Sequence, residues 1–395
     1  MKTLHVINLG KLGGVERLFL EYINGENAKN DQILCIGDHI GEEIFSQLKN
    51  KNIRFANRIC STLKIKYPSF IRKYVLKRKI EQANADLVIV WDLVLSLPAK
   101  PSKGKIVYYD HGCSWRYKHN KKTLRFLAML DGCISASHAS KRVLQLRFNL
   151  PCSIHVVVDR ILTPKCINKS SKEIGDCIKI GTASRLVGLK GVSVSILMIK
   201  ELINRGYKVK FYIAGKGPDH EDLKALVNKL GIEHYVEFLG FQQDLSSFFN
   251  NIDIYMSTPV TEPFGLSCME ALYYGVPVIF PMIDGQPEVI KDGYCGIGLI
   301  PKVTPEEHYS DTGINVDFPH KIYDPTNDCL SEAFILSHIE CADAVEKIIK
   351  GFYKEYRINA FKHVDECFRY EKFKDELHTA LMTINNEEDI KNNDY

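Results

Sequence analysis

An α/β protein built from two Rossmann-like domains is the fold this sequence predicts, and three observations lead to it. Short runs of β-branched and aromatic residues alternate along the chain with segments whose apolar residues recur at helical spacing. Such alternation argues for parallel sheets covered by helices. The length, 395 residues, suits two domains that each bury their own core. Between them, residues 162–175 hold Pro164 and Asn- and Ser-rich turns without an apolar period, which marks the boundary.

In chain order, the first domain (1–165) is expected to hold strands at 3–8, 33–37, 86–91, 105–110, 131–135 and 154–158. The second (166–341) is expected to hold strands at 178–183, 208–214, 235–239, 252–257 and 276–280, with helices over 192–205 and 220–230. Residues 301–330 are polar and carry Pro301, Pro305, Pro319 and Pro325, so a long loop or insertion is expected there, extending to 341. Residues 342–384 read as helices, with aromatics at Phe352, Phe361, Phe368 and Phe373. The acidic, Asn-rich stretch 385–395 is expected to be disordered.

Composition narrows the function. No stretch approaches the ~20 apolar residues of a membrane span, and Met1 leads straight into a strand rather than a signal peptide. A cytoplasmic protein is expected. The twelve cysteines form no CxxC pair and no zinc spacing, which fits small buried hydrophobes in a reducing compartment. The net charge of +4 hides an asymmetry: residues 1–165 hold 28 Lys and Arg against 13 Asp and Glu, and the rest hold 24 against 35. Ten basic residues and no acid lie within 51–79, and a second basic run holds Arg116, Lys118, Lys121, Lys122 and Arg125. An anionic partner for the first half follows. Nucleic acid is the rival to a membrane surface here, but it leaves the acidic second half unexplained.

In open parallel sheets, ligands bind at the carboxyl ends of strands, near helix N-termini. The strongest signal of that kind is Glu262-Pro263-Phe264-Gly265-Leu266-Ser267-Cys268-Met269-Glu270. Pro263 and Gly265 free backbone N–H groups at a helix start to face an oxygen ligand. Glu262 and Glu270 can accept hydrogen bonds from the vicinal hydroxyls of a sugar or ribose. After strand 178–183, Arg185 and Lys190 lie five apart in a glycine-containing turn and can reach one pyrophosphate from two sides. Gly215-Lys216-Gly217-Pro218 forms another glycine turn after a strand, and no GxGxxG occurs to suggest a dinucleotide cofactor. In the first half, Gly13-Gly14 opens a helix after strand 3–8, and His111 follows strand 105–110 at a cleft edge. No Walker motif or DxD is present.

Taken in order and at these intervals, the Arg185…Lys190-Gly191 turn, Gly215-Lys216-Gly217-Pro218 and Glu262…Glu270-Ala271, with Gly13-Gly14, resemble the GT-B retaining glycosyltransferases of family 4. These enzymes build bacterial cell-surface glycans. The resemblance covers residues 1–300 and resumes at 342–384. It implies two domains facing across a cleft, with the C-terminal helices crossing back to the first. It implies a nucleoside-diphosphate sugar as donor, a UDP-sugar being the commoner case, with no cofactor and no metal. Glu270 would hold the ribose, while Glu262 and the amides of Phe264, Gly265 and Leu266 would hold the sugar and diphosphate. Arg185 and Lys190 would neutralise the departing diphosphate, faced by Gly13 and Gly14, with Gly215 in the donor site and His111 against the transferred sugar. The acceptor would be a glycan or lipid-linked glycan of lipopolysaccharide or capsule synthesis. The 51–79 run would hold the enzyme at the inner face of the cytoplasmic membrane. A sugar-nucleotide epimerase or a phosphorylase of the same architecture is the alternative. Two departures stand out: Val156-Val157-Val158-Asp159 replaces the family's Asn-Gly, and 301–341 is longer than its usual connection.

Overall fold

Alternating strands and helices give two parallel sheets in the computed structural model, which describes residues 1–49, 52–59, 65–164, 167 and 172–387. One unit comprises 1–162 together with the C-terminal helix from Tyr370, and the other spans 163–369.

The first unit holds β1 (Thr3–Ile7), β2 (Gln32–Cys35), β3 (Ile53–Phe55), β4 (Leu87–Trp91), β5 (Lys105–Asp110), β6 (Gly132–Ser135) and β7 (Ile154–Val156). They pair in parallel in the order β3-β2-β1-β4-β5-β6-β7. Side chains alternate across this sheet as the two-residue period requires. Leu87, Ile89 and Trp91 of β4 face one core, and Val88 and Val90 face the other. Phe19 and Leu20 of helix Gly14–Ile23 cover the first face, and Leu76, Ile80, Phe126 and Leu144 cover the second.

The second unit holds β8 (Ile178–Ala183), β9 (Val209–Ala214), β10 (Val236–Gly240), β11 (Ile254–Met256), β12 (Val278–Pro281) and β13 (Gly296–Leu299). Their order is β10-β9-β8-β11-β12-β13. Helices Val192–Asn204 and His220–Leu230 lie where helical spacing predicts them. Of the nine cysteines described, none is in a disulfide, and Cys35, Cys133, Cys268, Cys295 and Cys341 are buried.

Four features differ from the sequence expectation. Strand β3 is a three-residue edge strand inside the basic run, too short to show a period. Strand β13, Gly-Ile-Gly-Leu, is masked by its glycines. Within 301–330, helix Pro305–Thr312 forms because Thr304 and Glu307 make a reciprocal capping box and Pro305 occupies the first turn. A hairpin of β14 (Ile322–Asp324) and β15 (Cys329–Ser331) follows, so this stretch is not a plain loop. The helical segment 342–384 also divides. Helices His338–Lys347 and Tyr353–Cys367 bury Cys341, Val345, Tyr353 and Tyr356 in the second core. Only helix Tyr370–Asn386 joins the first. Of the stretch 385–395, residues 388–395 lie outside the described residues.

Helix Tyr370–Asn386 places Tyr370, Phe373, Leu377, Leu381 and Ile384 on one face against the first sheet. Arg160 fixes it further, donating to both carboxylate oxygens of Glu376 at 2.6 and 3.2 Å. Burial of Phe373, Leu377, Leu381 and Ile384 contributes roughly 6–12 kcal/mol before ordering costs. Phe373→Ala should therefore lower the stability of the first unit by about 3–5 kcal/mol. Both tryptophans, Trp91 and Trp115, lie in this unit, so urea unfolding followed by tryptophan fluorescence reads it selectively.

Candidate functional site

The order of the second sheet reverses between β8 and β11, and the loops that leave their carboxyl ends must diverge there. These loops, 184–191 and 257–265, are laid backbone against backbone. Gly191 has φ +59°, and a Cβ on it would lie 1.9 Å from the Thr258 carbonyl oxygen. Thr258 Oγ1 donates to the Gly191 carbonyl at 2.8 Å, and Val260 N–H to that of Leu189 at 2.9 Å. Gly215 plays the same part after β9. It has φ +138°, and a Cβ there would meet Ser184 O at 1.8 Å. Its turn is therefore packed backbone to backbone on the loop after β8, which fixes where this glycine stands at the end of β9.

Within this frame the predicted residues gather. Lys190 and Glu262 form an ion pair across the two loops, so Lys190 already has an anionic partner. Arg185, five residues earlier, is exposed, and its side chain makes no ion pair among the described residues. Gly265, at φ +110°, starts helix Leu266–Tyr273 without a side-chain cap, leaving the amides of its first turn for another acceptor. Phe264 is buried and meets Phe368 edge-on at 6.5 Å between centroids, so only its backbone can serve a ligand. Glu270 lies within the same helix, 9% exposed. One residue that spacing did not single out is Asp284. Its Oδ2 accepts from Thr261 Oγ1 at 2.7 Å and from Glu262 N–H at 2.9 Å. Its place in an Ile-Asp-Gly turn was the only signal in the sequence.

The first unit carries a second cluster where its own sheet order reverses, between β1 and β4. His111 follows β5, and its N–H donates to Asp92 at 2.9 Å. The ring stacks on Trp91 at 5.4 Å, and Nδ1 lies 3.1 Å from Asp159 Oδ2. Nε2 and Asp159 Oδ1 are buried without a hydrogen-bond partner among the described residues. Burial disfavours the charged imidazole, but the carboxylates of Asp159, Asp92 and Asp110 together outweigh it and raise the His111 pKa. Asp159 stands where the family's Asn-Gly pattern fails, which is why spacing did not assign it. Gly13 and Gly14 are exposed at the start of their helix, as expected. The Glu16 carboxylate closes that terminus: a Cβ on Gly13 would lie 2.8 Å from Glu16 Oε2. Burial raises the Glu16 pKa, with Asp92 adding to it.

The basic run 51–79 is only partly a surface feature; Lys51 and Lys64 lie outside the described residues. Lys79 Nζ donates inward to the carbonyls of Phe55 and Arg58 at 2.7 and 2.6 Å. Arg58 is buried, 3.6 Å from the Phe55 ring centroid. Strand β3 and the fold of helix Arg72–Gln82 onto the sheet recruit these two cations, so the run is not a single solvated helix. Lys66, Lys73 and Arg78 stay exposed, beside Ile59, Ile65, Phe70 (75%) and Tyr74. Among the described residues, no helix is long and apolar enough to cross a membrane.

Two outcomes follow from this geometry. Gly215→Ala should cost the second unit about 1–3 kcal/mol through backbone collision, read by urea unfolding followed by circular dichroism. In the first unit, burial and Asp92 raise Asp110 to about 7, and His111 is raised as well. Both groups bind protons more readily folded than unfolded. Their stabilisation is full below the unfolded values and is lost as pH rises through the folded ones. The fluorescence midpoint in urea should fall as pH rises from about 4 to about 7, with a shallower slope in Asp110→Asn, and the His111 contribution should fall away above its ordinary value of 6.5.

Residues 167–309 match the family model described as Glycosyl transferases group 1. The chain is 27% identical over 230 residues to a component of the phosphatidylinositol N-acetylglucosaminyltransferase from Arabidopsis thaliana, an alignment spanning 52% of this chain and 52% of that protein. It is 25% identical over 295 residues to the lipopolysaccharide core biosynthesis glycosyltransferase LpsD of Rhizobium meliloti, covering 73% of this chain and 81% of that one. The solved structure of Anabaena HepE in complex with UDP and glucose shares the fold, with a TM-score of 0.71 over 97% of this chain and 100% of that one, at 16% identity.

Proposed function

From a chain whose residues 167–309 match the glycosyl transferases group 1 model within a GT-B fold, we propose a glycosyltransferase of cell-surface glycan synthesis. It moves a hexose-type sugar from a nucleoside-diphosphate sugar to a glycan or lipid-linked acceptor. The observation that carries this reading is the convergence of Lys190, Glu262, exposed Arg185 and the uncapped start of helix Leu266–Tyr273 at one sheet reversal. A relative named for lipopolysaccharide core synthesis and a fold neighbour solved with UDP support the substrate class.

Such a transfer develops positive charge on the sugar and negative charge on the leaving diphosphate. Arg185, Lys190 and the first-turn amides supply the complementary field. Lys190 trades the single charge of Glu262 for the greater charge of the diphosphate, and Glu262 then turns to the donor sugar. Glu270 accepts from the ribose hydroxyls. In the first unit Asp159 holds His111, the residue that the family resemblance assigns to the transferred sugar. Front-face transfer with retention and without a metal is what the family resemblance implies, and neither glutamate is assigned as a nucleophile.

Each charge-assisted bond is worth about 1.5–3 kcal/mol, so Arg185→Ala should lower kcat/KM roughly ten- to hundredfold with little change in unfolding. Glu270→Ala should weaken UDP binding, measured by calorimetry, by a similar factor while the fold survives. EDTA should leave turnover unchanged; loss on chelation that magnesium restores would overturn the metal-free reading. Unaltered UDP affinity in folded Glu270→Ala would remove the ribose assignment. A donor sugar converted without acceptor, or phosphate consumed in place of one, would favour the epimerase or the phosphorylase.

The acceptor reading rests on the surface of the first unit. Exposed Phe70 and Tyr74 with the exposed Lys73 and Arg78 suit an anionic interface, at about 1 kcal/mol per basic residue near it. Co-sedimentation with phosphatidylglycerol vesicles should exceed that with phosphatidylcholine, weaken in salt, and fall in Lys73→Gln/Arg78→Gln. Equal binding to both lipids would leave a soluble acceptor.

A further inference from the structure

The segment 301–336, longer than a family connection needs, touches both halves of the candidate site within the second unit. Its ends are pinned together: Val303 and Ile335 exchange two backbone hydrogen bonds of 3.0 Å, so the stretch between them is a closed loop. One side of this loop backs the turn that carries Lys190. Val316 packs on Gly188, where a Cβ would meet its Cγ2 at 3.0 Å, and Ile335 lies 3.2 Å from the corresponding position on Gly191. Helix Pro305–Thr312 anchors this side through a 2.8 Å hydrogen bond between Ser193 Oγ and His308 Nε2.

The other side reaches the Glu262 loop through one carboxylate. Tyr323 in β14 donates its N–H to Asp284 Oδ1 at 2.9 Å, and Asp284 N–H donates to the Tyr323 carbonyl at 2.9 Å. The remaining oxygen of Asp284 takes the Thr261 hydroxyl and the Glu262 N–H. Asp284 is 1% exposed and sits at φ +47°, a left-handed conformation that aspartate adopts more readily than most residues other than glycine. Glycine would hold that backbone without strain but would give up the bonds that the carboxylate makes. Its bonds fix the backbone of the residue whose side chain pairs with Lys190.

We infer that the 301–336 loop is a brace for the site, and that Asp284 is a positioning residue setting the Glu262 backbone, and with it the Lys190–Glu262 pair, for the donor diphosphate. This rests on the nucleotide-sugar reading above, and two variants of the full chain test it. Asp284→Asn keeps a side chain that tolerates the left-handed conformation. It still accepts from Tyr323 N–H, but presents an amide NH₂ to the Thr261 and Glu262 donors. Asp284→Gly frees the backbone of strain and removes all three bonds.

Hydrogen exchange of the unliganded protein should quicken over 258–266 in both variants, with exchange over 192–204 unchanged. UDP affinity by calorimetry should fall about tenfold or more. Unchanged exchange over 258–266 overturns the brace outright. Faster exchange with unchanged UDP affinity overturns the link between Asp284 and the site. Loss of protection across the whole second unit would make Asp284 a general stability residue and also overturn it. Should the unaltered protein bind none of UDP, GDP or ADP, the donor reading fails, while the exchange result still decides whether Asp284 holds the loop.

Discussion

A parallel sheet whose strand order reverses leaves a gap between the two chains that depart from its centre, and the second unit is organised by how that gap is closed. The loops after β8 and β11 approach so nearly that the Thr258 carbonyl takes up the space a Cβ on Gly191 would need. The loop after β9 fits under β8 by the same device at Gly215. Hydrophobic packing alone does not dictate this. Backbone contact at these points is possible only for glycine, and it fixes the loops relative to the sheet rather than leaving them to solvent. Arg185, Lys190 and Glu262 stand on loops held this way.

The Lys190–Glu262 pair gains its meaning from that support. Side chains 29% and 18% exposed gain little stability from a single pair, on the order of 0–1 kcal/mol. What the pair provides is position: a cation and a carboxylate held beside an uncapped helix start before any ligand arrives. Preorganised charge of this kind acts on a transition state without the cost of rearranging solvent. The first unit shows a related economy at His111, where Trp91 stacks the ring and Asp159 sets one nitrogen, leaving the other without a partner among the described residues.

Much of this was legible in the sequence, and the limits have physical causes. Eleven strands announced themselves because β-branched runs in a buried parallel sheet are nearly continuous, as Leu-Val-Ile-Val-Trp in β4 shows. Strands β3 and β13 did not, being three residues at an edge and a Gly-Ile-Gly-Leu run. Arg185, Lys190, Glu262 and Glu270 stood out in the sequence because glycine turns after strands mark candidate ligand sites, and the structure sets the first three on the loops after β8 and β11 and Glu270 in the helix that follows. Asp159 and Asp284 could not, since each acts through a partner distant in sequence: His111 is 48 residues away and Glu262 is 22. Charge counting also overstated the surface of the basic run, because Arg58 and Lys79 turn inward onto carbonyls and an aromatic ring that composition does not reveal.

The central claim is that a nucleoside diphosphate binds at the reversal of the second sheet. A crystal structure of the full chain with UDP tests it most directly. The account predicts diphosphate oxygens within hydrogen-bond distance of the Gly265 and Leu266 amides, with Arg185 and Lys190 turned onto them and the ribose hydroxyls on Glu270. UDP seated away from the loops 184–191 and 257–265, with the Lys190–Glu262 pair undisturbed, would contradict it.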